Sequence, residues 1–283
     1  MKLVMHTGPM QRRGVIEPEI VSQIAGAGFD GYDITLCQIY NESSYLFSDT
    51  FEKVRQIKQV ALDKGITCEQ GHSVFYNLKD KADADGIVPK HLRCIDIASE
   101  LGAKILVVHP GNDFTAEQNY DWIYSKILPH AKDAGIIIAT ENMWNWNTET
   151  GLTYPSACGS VEDFCKHVDI ANSPYLTACV DIGHAEMTGA PGAATIIRGL
   201  GKDRVKCLHV HDNDVIHDSH TLPYFGKINW DDVIDALVDI NYGGNFTFET
   251  DYFARNIPNE LFPSVLRFTE QVGRYFINRI KQK

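Results

Sequence analysis

The stretch AKDAGIIIATEN, residues 131–142, closes a helical pattern on Gly135, runs straight into an apolar strand and finishes on Glu141. Glycine suits that position because a helix that stops in a left-handed turn before a strand carries no Cβ penalty there. The same cadence recurs as AGAGFDGYDITL (25–36), ALDKGITCEQ (61–70) and ASELGAKILVV (98–108). Working outward, short apolar runs place strands at 3–6, 31–36, 66–73, 104–110, 136–142, 175–181, 205–212 and 245–251. Helical patterns lie between them. Residues 49–65 space Phe51, Val54, Ile57, Val60 and Ala61 near one turn, with SDTFE as the N-cap stretch and Gly65 as the stop. Residues 88–102 put Pro89 near the start and Gly102 at the stop.

Strands alternating with helices imply parallel pairing through right-handed crossovers. Eight such units in 283 residues predict an α/β fold, a single (β/α)8 TIM barrel over residues 1–283. The rival, an open doubly wound sheet, would normally offer a glycine-rich phosphate turn after its first strand, and MHTGPMQRRG (5–14) is no GxGxxG. No Pro/Gly/Ser-rich linker divides the chain.

Composition narrows the function classes. The chain is 44% apolar and 22% charged, with a net charge of −11. A field of that sign opposes approach to nucleic acid or an anionic bilayer, and basic residues cluster only in QRR (11–13) and the tail RIKQK (279–283). No stretch is long and apolar enough for a membrane span or a signal peptide, so a cytoplasmic location is expected. Seven cysteines (Cys37, Cys68, Cys94, Cys158, Cys165, Cys179 and Cys207) include no CxxC pair and read as structural thiols of a reducing compartment.

In a barrel, chemistry belongs at the C-terminal ends of the strands. His6, Asp33, Glu69 with His72, His109, Glu141, Asp181 with His184, His209 with His211, and Glu249 with Asp251 all fall there. One strand ends in CLHVHDND (207–214), with Cys207, His209 and His211 on one face. Each residue alone reads as a cap or a hydrogen-bonded loop group, and His91, His130 and His167, in helices, are assigned to packing; Lys104 and Asp30 are read as solvated turn residues. Independent caps would not all choose the same end of eight elements. Carboxylates and imidazoles around one point, without thiolate, suit a divalent cation such as Mn²⁺, Mg²⁺, Co²⁺ or Zn²⁺. Two glutamates facing across it can act as base and acid.

Taken together, FDGYDITL, GHSVF, LGAKILVVHPG, ATEN, CVDIGHA, LHVHDND…HDSH…FGKINW and FTFETD resemble the xylose isomerase-like TIM-barrel superfamily of sugar-phosphate isomerases and epimerases, ketose 3-epimerases and endonuclease IV. The resemblance implies one divalent metal ion, Mn²⁺ first, held by Glu141, Asp181, His211 and Glu249. His211 is preferred to His209 because the family ligand directly precedes a short stretch such as DND. It also implies proton transfer beside a sugar carbonyl, with Glu141 and Glu249 removing and returning the proton and His184 on a substrate oxygen. His6, Trp144 and Trp146 are candidate substrate contacts. A phosphate, if the sugar carries one, has Lys227 and Arg255 as nearby basic residues.

Endonuclease IV relatives hold three zinc ions, and the further positions that would require are filled by His72, His109, His184, Asp218 and His220. The acidic charge argues against that reading, so the expected partner is a small sugar rather than nucleic acid or membrane. A barrel with a decayed site, binding sugar without turnover, is the remaining alternative. Homodimers and homotetramers are common in the family.

Overall fold

A computed structural model describes residues 1–36 and 51–283; Cys37 and the first residues of the helix read at 49–65 lie outside the described residues. The chain runs β1 (Leu3–His6), α1 (Gly8–Gln11), α2 (Glu17–Ala27), β2 (Gly31–Thr35), α3 (Glu52–Asp63), β3 (Thr67–His72), α4 (Lys81–Leu101) and β4 (Ile105–Val108). There follow α5 (Ala116–Asn119), α6 (Ser125–Ala134), β5 (Ile137–Glu141), β6 (Trp144–Asn147), β7 (Leu152–Pro155), α7 (Val161–Asp169), β8 (Leu176–Asp181) and α8 (Ile182–Ala185). The chain continues through α9 (Ala193–Arg204), β9 (Val205–His209), α10 (Trp230–Asp239), β10 (Phe246–Phe248) and α11 (Phe262–Gln282).

Eight strands form one parallel sheet in the order β10-β1-β2-β3-β4-β5-β8-β9. The two edge strands meet just past β9, where Val210 N donates to Thr247 O at 2.9 Å and Glu249 N donates to Val210 O at 3.1 Å. The sheet therefore curls into a (β/α)8 TIM barrel, as the alternating pattern predicts, and every expected barrel strand is present. Six free cysteines among the described residues, five of them buried, make no disulfide.

Alternation along the strands sorts the side chains. A main apolar cluster including Leu3, Met5, Leu106, Ile138, Val180 and Leu208 packs strands against helices. A second, small cluster of Val107, Ala139, Cys179 and Cys207 belongs to the opposite parity and fills the barrel interior. Two residues onward from these four stand His109, Glu141, Asp181 and His209. The parity that packs the interior thus also delivers the polar residues to its C-terminal mouth.

Three local readings change. Helix α4 begins at Lys81 rather than 88, because Asp80 caps it by accepting from Ala82 N at 2.8 Å and Asp83 N at 3.1 Å; Pro89 lies inside it. Trp144 and Trp146 lie on an antiparallel hairpin, β6 with β7, that the sequence pattern did not suggest. Asp30 is clamped rather than merely solvated: it accepts from Leu3 N at 2.8 Å and from Arg274 of α11 at 2.7 and 2.9 Å.

The long segment between β9 and α10 is fixed over the barrel mouth by one fully buried carboxylate. Asp212 accepts from Asn213 N (2.8 Å), Ile228 N (3.2 Å), Tyr224 N (2.9 Å) and the Trp230 indole (2.8 Å). Gly226 lies so close that a Cβ there would collide with Asp212 Oδ1 and Asn213 O. Asp212→Asn replaces an acceptor with a donor facing donors, and is expected to cost about 3 kcal/mol of stability in chemical denaturation. A loss within about 0.5 kcal/mol, the range of ordinary surface changes, would show that something else holds the segment.

Candidate functional site

At the mouth of the barrel three side-chain groups adjoin one another. Glu141, Asp181, His209 and Glu249, all buried, form the first. His209 Nδ1 lies 3.2 Å from Glu141 Oε2, 3.2 Å from Glu249 Oε2 and 4.0 Å from Asp181 Oδ2. The second consists of His72, His109 and the same Glu141, with His109 Nε2 3.2 Å from Glu141 Oε2 and 3.0 Å from His72 Nε2. His184, His211, Asp218 and His220 form the third. There Asp218 Oδ2 stands 3.1 Å from His220 Nε2 and 3.4 Å from His184 Nε2, while the His211 and His220 rings stack at 4.0 Å.

The first group contains His209 at the position the sequence reading gave to His211. Both imidazoles project from the same strand face, but at different depths. His209 reaches both glutamates; His211 Nε2 instead meets Asp181 Oδ1 at 3.1 Å. Behind His209, Asp33 Oδ2 lies 3.6 Å from Nε2 and accepts from Gln70 Nε2 at 2.9 Å. At that distance the pair makes no hydrogen bond, but the Asp33 carboxylate attracts this edge of the ring and leaves Nδ1 facing the glutamates for a ligand.

Three other histidines are pinned by hydrogen bonds to backbone carbonyls. Nδ1 of His72 lies 3.1 Å from Ser73 O, Nδ1 of His184 lies 2.9 Å from Asn142 O, and Nδ1 of His220 lies 2.9 Å from Glu249 O. Each ring therefore turns Nε2 to the pocket. His211 fits only because residue 183 is glycine: a Cβ there would overlap the His211 ring.

Burial raises carboxyl pKa values and lowers imidazole ones, and at this site neighbours reverse most of those effects. Burial pushes Glu141 up, yet His209 and His109 hold it well below the usual carboxylate range. Burial likewise opposes charge on His209, but Glu249 and Glu141 hold it well above the ordinary histidine value. His184 is raised to about 10 in spite of its burial, chiefly by Asp181 and Asp218. His72 is the exception, pulled well below by burial and by His109 and His209.

The residues present fit a divalent cation. Glu141 Oε2, His209 Nδ1 and Asp218 Oδ1 are buried without a hydrogen-bond partner, an arrangement that calls for a ligand. The donors are carboxylate and imidazole; Cys179 adjoins Glu141 and His209, but burial and Cys207 push its thiol well above the ordinary value, so it stays protonated.

Above the groups opens a cavity of about 630 Å³. Trp144 and Trp146 line it, together with Phe75, Asn112, Arg12 and Tyr252, which sequence reasoning did not select. Arg12 was read as part of a surface basic run, and only the fold shows that it turns towards the site. His6 is buried beside His72, its ring 5.9 Å away, and is held by Asp251 Oδ1 at 3.0 Å rather than lining the cavity. Glu69 points elsewhere, pairing with Lys2 at 2.7 Å. His91 and His167 are buried and hydrogen-bonded to Ser73 and Asn119, as packing histidines would be.

If Asp33 orients His209, Asp33→Asn should lower divalent-metal affinity about 10–100-fold in competition against a fluorescent chelator. An unchanged affinity would mean that the ring needs no such support.

Comparison with known proteins places the chain. Residues 21–272 match the family model of the xylose isomerase-like TIM barrel. The probable endonuclease 4 of Mesoplasma florum is 32% identical over 165 residues, 53% of this chain and 52% of that protein. The chain spans between 50% and 62% of the length of the curated relatives it matches. A D-tagatose 3-epimerase-like protein superposes with a TM-score of 0.78 at 22% identity, covering 100% of this chain and 99% of that one. IolI protein with a bound zinc atom superposes at 0.73 with 15% identity, covering 100% and 99%. At those identities the two structures speak for the fold, whereas the family match spans most of the sequence: this chain belongs to the xylose isomerase-like TIM-barrel family.

Proposed function

We propose that this protein is a divalent-metal-dependent isomerase or epimerase of carbohydrates that moves a proton at a carbon next to a carbonyl. The observation that carries the reading is the placement of Glu141 and Glu249, each 3.2 Å from His209 Nδ1, at the floor of an aromatic-rimmed cavity of about 630 Å³. That volume suits a small polar ligand. The family's structural neighbours include epimerases and a zinc-bound protein, which supports the same reading.

Glu141, Asp181, His209 and Glu249 would hold the metal, with His211 beside Asp181 as the alternative imidazole. When bound, the ion supplies Lewis acidity, polarising the substrate carbonyl so that the adjacent C–H bond becomes acidic. Glu141, kept ionised by its histidine neighbours, is suited to accept the proton, and Glu249 to return it from the other side. Return to the same carbon on the opposite face epimerises; return to the neighbouring carbon exchanges aldose and ketose. His184, fixed by Asn142 O, presents Nε2 to a substrate oxygen. Trp144, Trp146 and Phe75 narrow the mouth and limit water at the reacting carbon.

A second reading has a specific observation in its favour. The three side-chain groups adjoin, two of them sharing Glu141, as a multinuclear centre for phosphodiester hydrolysis would require, and a probable endonuclease 4 is among the relatives. Metal analysis separates the two: about one ion per chain favours proton transfer, about three favours phosphodiester chemistry. With a single ion, Asp218→Ala leaves metal content unchanged.

Two outcomes are expected of the enzyme. In D₂O with added Mn²⁺, a panel of ketoses, aldoses, inososes and their phosphates should include one substrate that takes up deuterium at a single carbon, and chelation should abolish the exchange. Glu249→Gln should lower turnover about 10²–10⁴-fold while substrate binding is largely kept, because the amide cannot accept a proton. Full activity in that variant removes Glu249 from the reaction.

A further inference from the structure

We propose that Cys179 gives the metal site a second, deeper cation position, made by Glu141, Cys179 and His209, which takes thiophilic divalent ions such as Cd²⁺ or Zn²⁺ ahead of Mn²⁺; this rests on the reading of the barrel mouth as a divalent-metal site. Donor atoms of these three residues lie within 4.8 Å of one another. All three are buried: Glu141 is 1% exposed, Cys179 and His209 0%. Of the six free cysteines among the described residues, Cys179 alone joins such a group.

Strand register puts the thiol there. Glu141 of β5 pairs with Cys179 of β8, Cys179 pairs with Cys207 of β9, and Asp181 pairs with His209. Residues paired in register project to the same side of a sheet, here the barrel interior. A register shift between Ala178 and Cys179 skips Lys206 and so aligns the inward-pointing rows of β8 and β9. Irregularities of this kind re-aim side chains beside functional sites. Cys179 therefore belongs to the row of Glu141, although along its own strand it stands two residues before Asp181.

A second observation points to an ion. Glu141 Oε2 and His209 Nδ1, 3.2 Å apart, are both buried without a hydrogen-bond partner. Glu141 and His209 belong to two groups. With Asp181 and Glu249 they offer an oxygen-rich set, which suits Mn²⁺ or Mg²⁺; with Cys179 they offer sulfur and imidazole, which favour softer ions. Without a cation the thiol keeps its proton. On binding a soft ion the S–H bond breaks, a sulfur–metal bond forms, and one proton leaves to solvent. Glu141 and the thiolate then set two negative charges against two positive ones, which lowers the cost of holding the ion out of water. Glu141 and Glu249 line the cavity, whereas Cys179 and His209 do not. An ion drawn to the thiol is turned away from the substrate. The thiol thus sorts cations, leaving hard ions to the reaction and drawing soft ones inward.

Titration of the metal-free full chain with Cd²⁺, under a non-thiol reductant that keeps the cysteines reduced, tests this without any turnover. An ultraviolet thiolate-to-cadmium charge-transfer band should grow and saturate at about one equivalent. Cys179→Ala should abolish the band and weaken Cd²⁺ binding about 10–100-fold in competition against a fluorescent chelator, with Mn²⁺ affinity unchanged. Cys179→Ser, closer in volume to the thiol, should do the same and covers an alanine variant that fails to fold; circular dichroism checks both. A band that persists in the variants, Cd²⁺ binding without a band, or equal loss of Cd²⁺ and Mn²⁺ affinity overturns the second position. Mn²⁺ binding with no Cd²⁺ band removes the position and leaves the metal-site reading in place, whereas failure of both ions to bind removes that reading as well. Cys179-dependent Cd²⁺ binding in a protein that exchanges no deuterium with any sugar would leave the position standing and remove the carbohydrate reaction.

Discussion

Everything at the mouth of this barrel depends on the two-residue period of parallel strands. Val107, Ala139, Cys179 and Cys207 fill the interior, and the same parity brings His109, Glu141, Asp181 and His209 to the rim two residues later. Three of those interior residues are small. Bulkier side chains there would push the strands apart or lift the polar layer, so the volume of the layer below sets the height of the layer that can bind a ligand. Packing and chemistry are here two consequences of one alternation.

The sequence carried the architecture because helix–glycine–strand turns and apolar runs are local signals, repeated often enough that no single ambiguous run mattered. All the barrel strands lie where those signals placed them, to within a few residues at their ends. What could not be read was depth. His209 and His211 have the same parity and lie one strand step apart, so alternation cannot say which reaches Glu141 and Glu249; that is decided by where the strand sits along the barrel axis. His209 is distinguished by its 3.2 Å approaches to Glu141 and Glu249, on strands remote in sequence and close only after the barrel forms.

Other omissions have similar causes. The WNWN stretch of the hairpin alternates aromatic and polar residues over only four positions, too few to mark a strand, and both of its faces are partly exposed at the pocket rim. Asp212 carries no local signal of its role in the DND stretch, and only its four hydrogen-bond partners from later in the chain reveal a structural one. Arg12 and Tyr252 belong to loops after opposite ends of the chain, β1 and β10, and meet only because closure of the barrel makes those strands neighbours.

The charge pattern of the site follows from the cost of burial. Glu141, Asp181 and Glu249 are buried together, and isolated carboxylates in that setting would lose several kcal/mol each in hydration. Imidazolium groups stand where they can compensate them: His209 lies between the two glutamates, and His184 lies against Asp181 and Asp218. A divalent ion at the same place would take over that compensation and release the protons, so the site can exchange protons for metal with little change in total charge. This explains why there are more imidazoles here than one ion needs to be held, without requiring that each of them be a ligand.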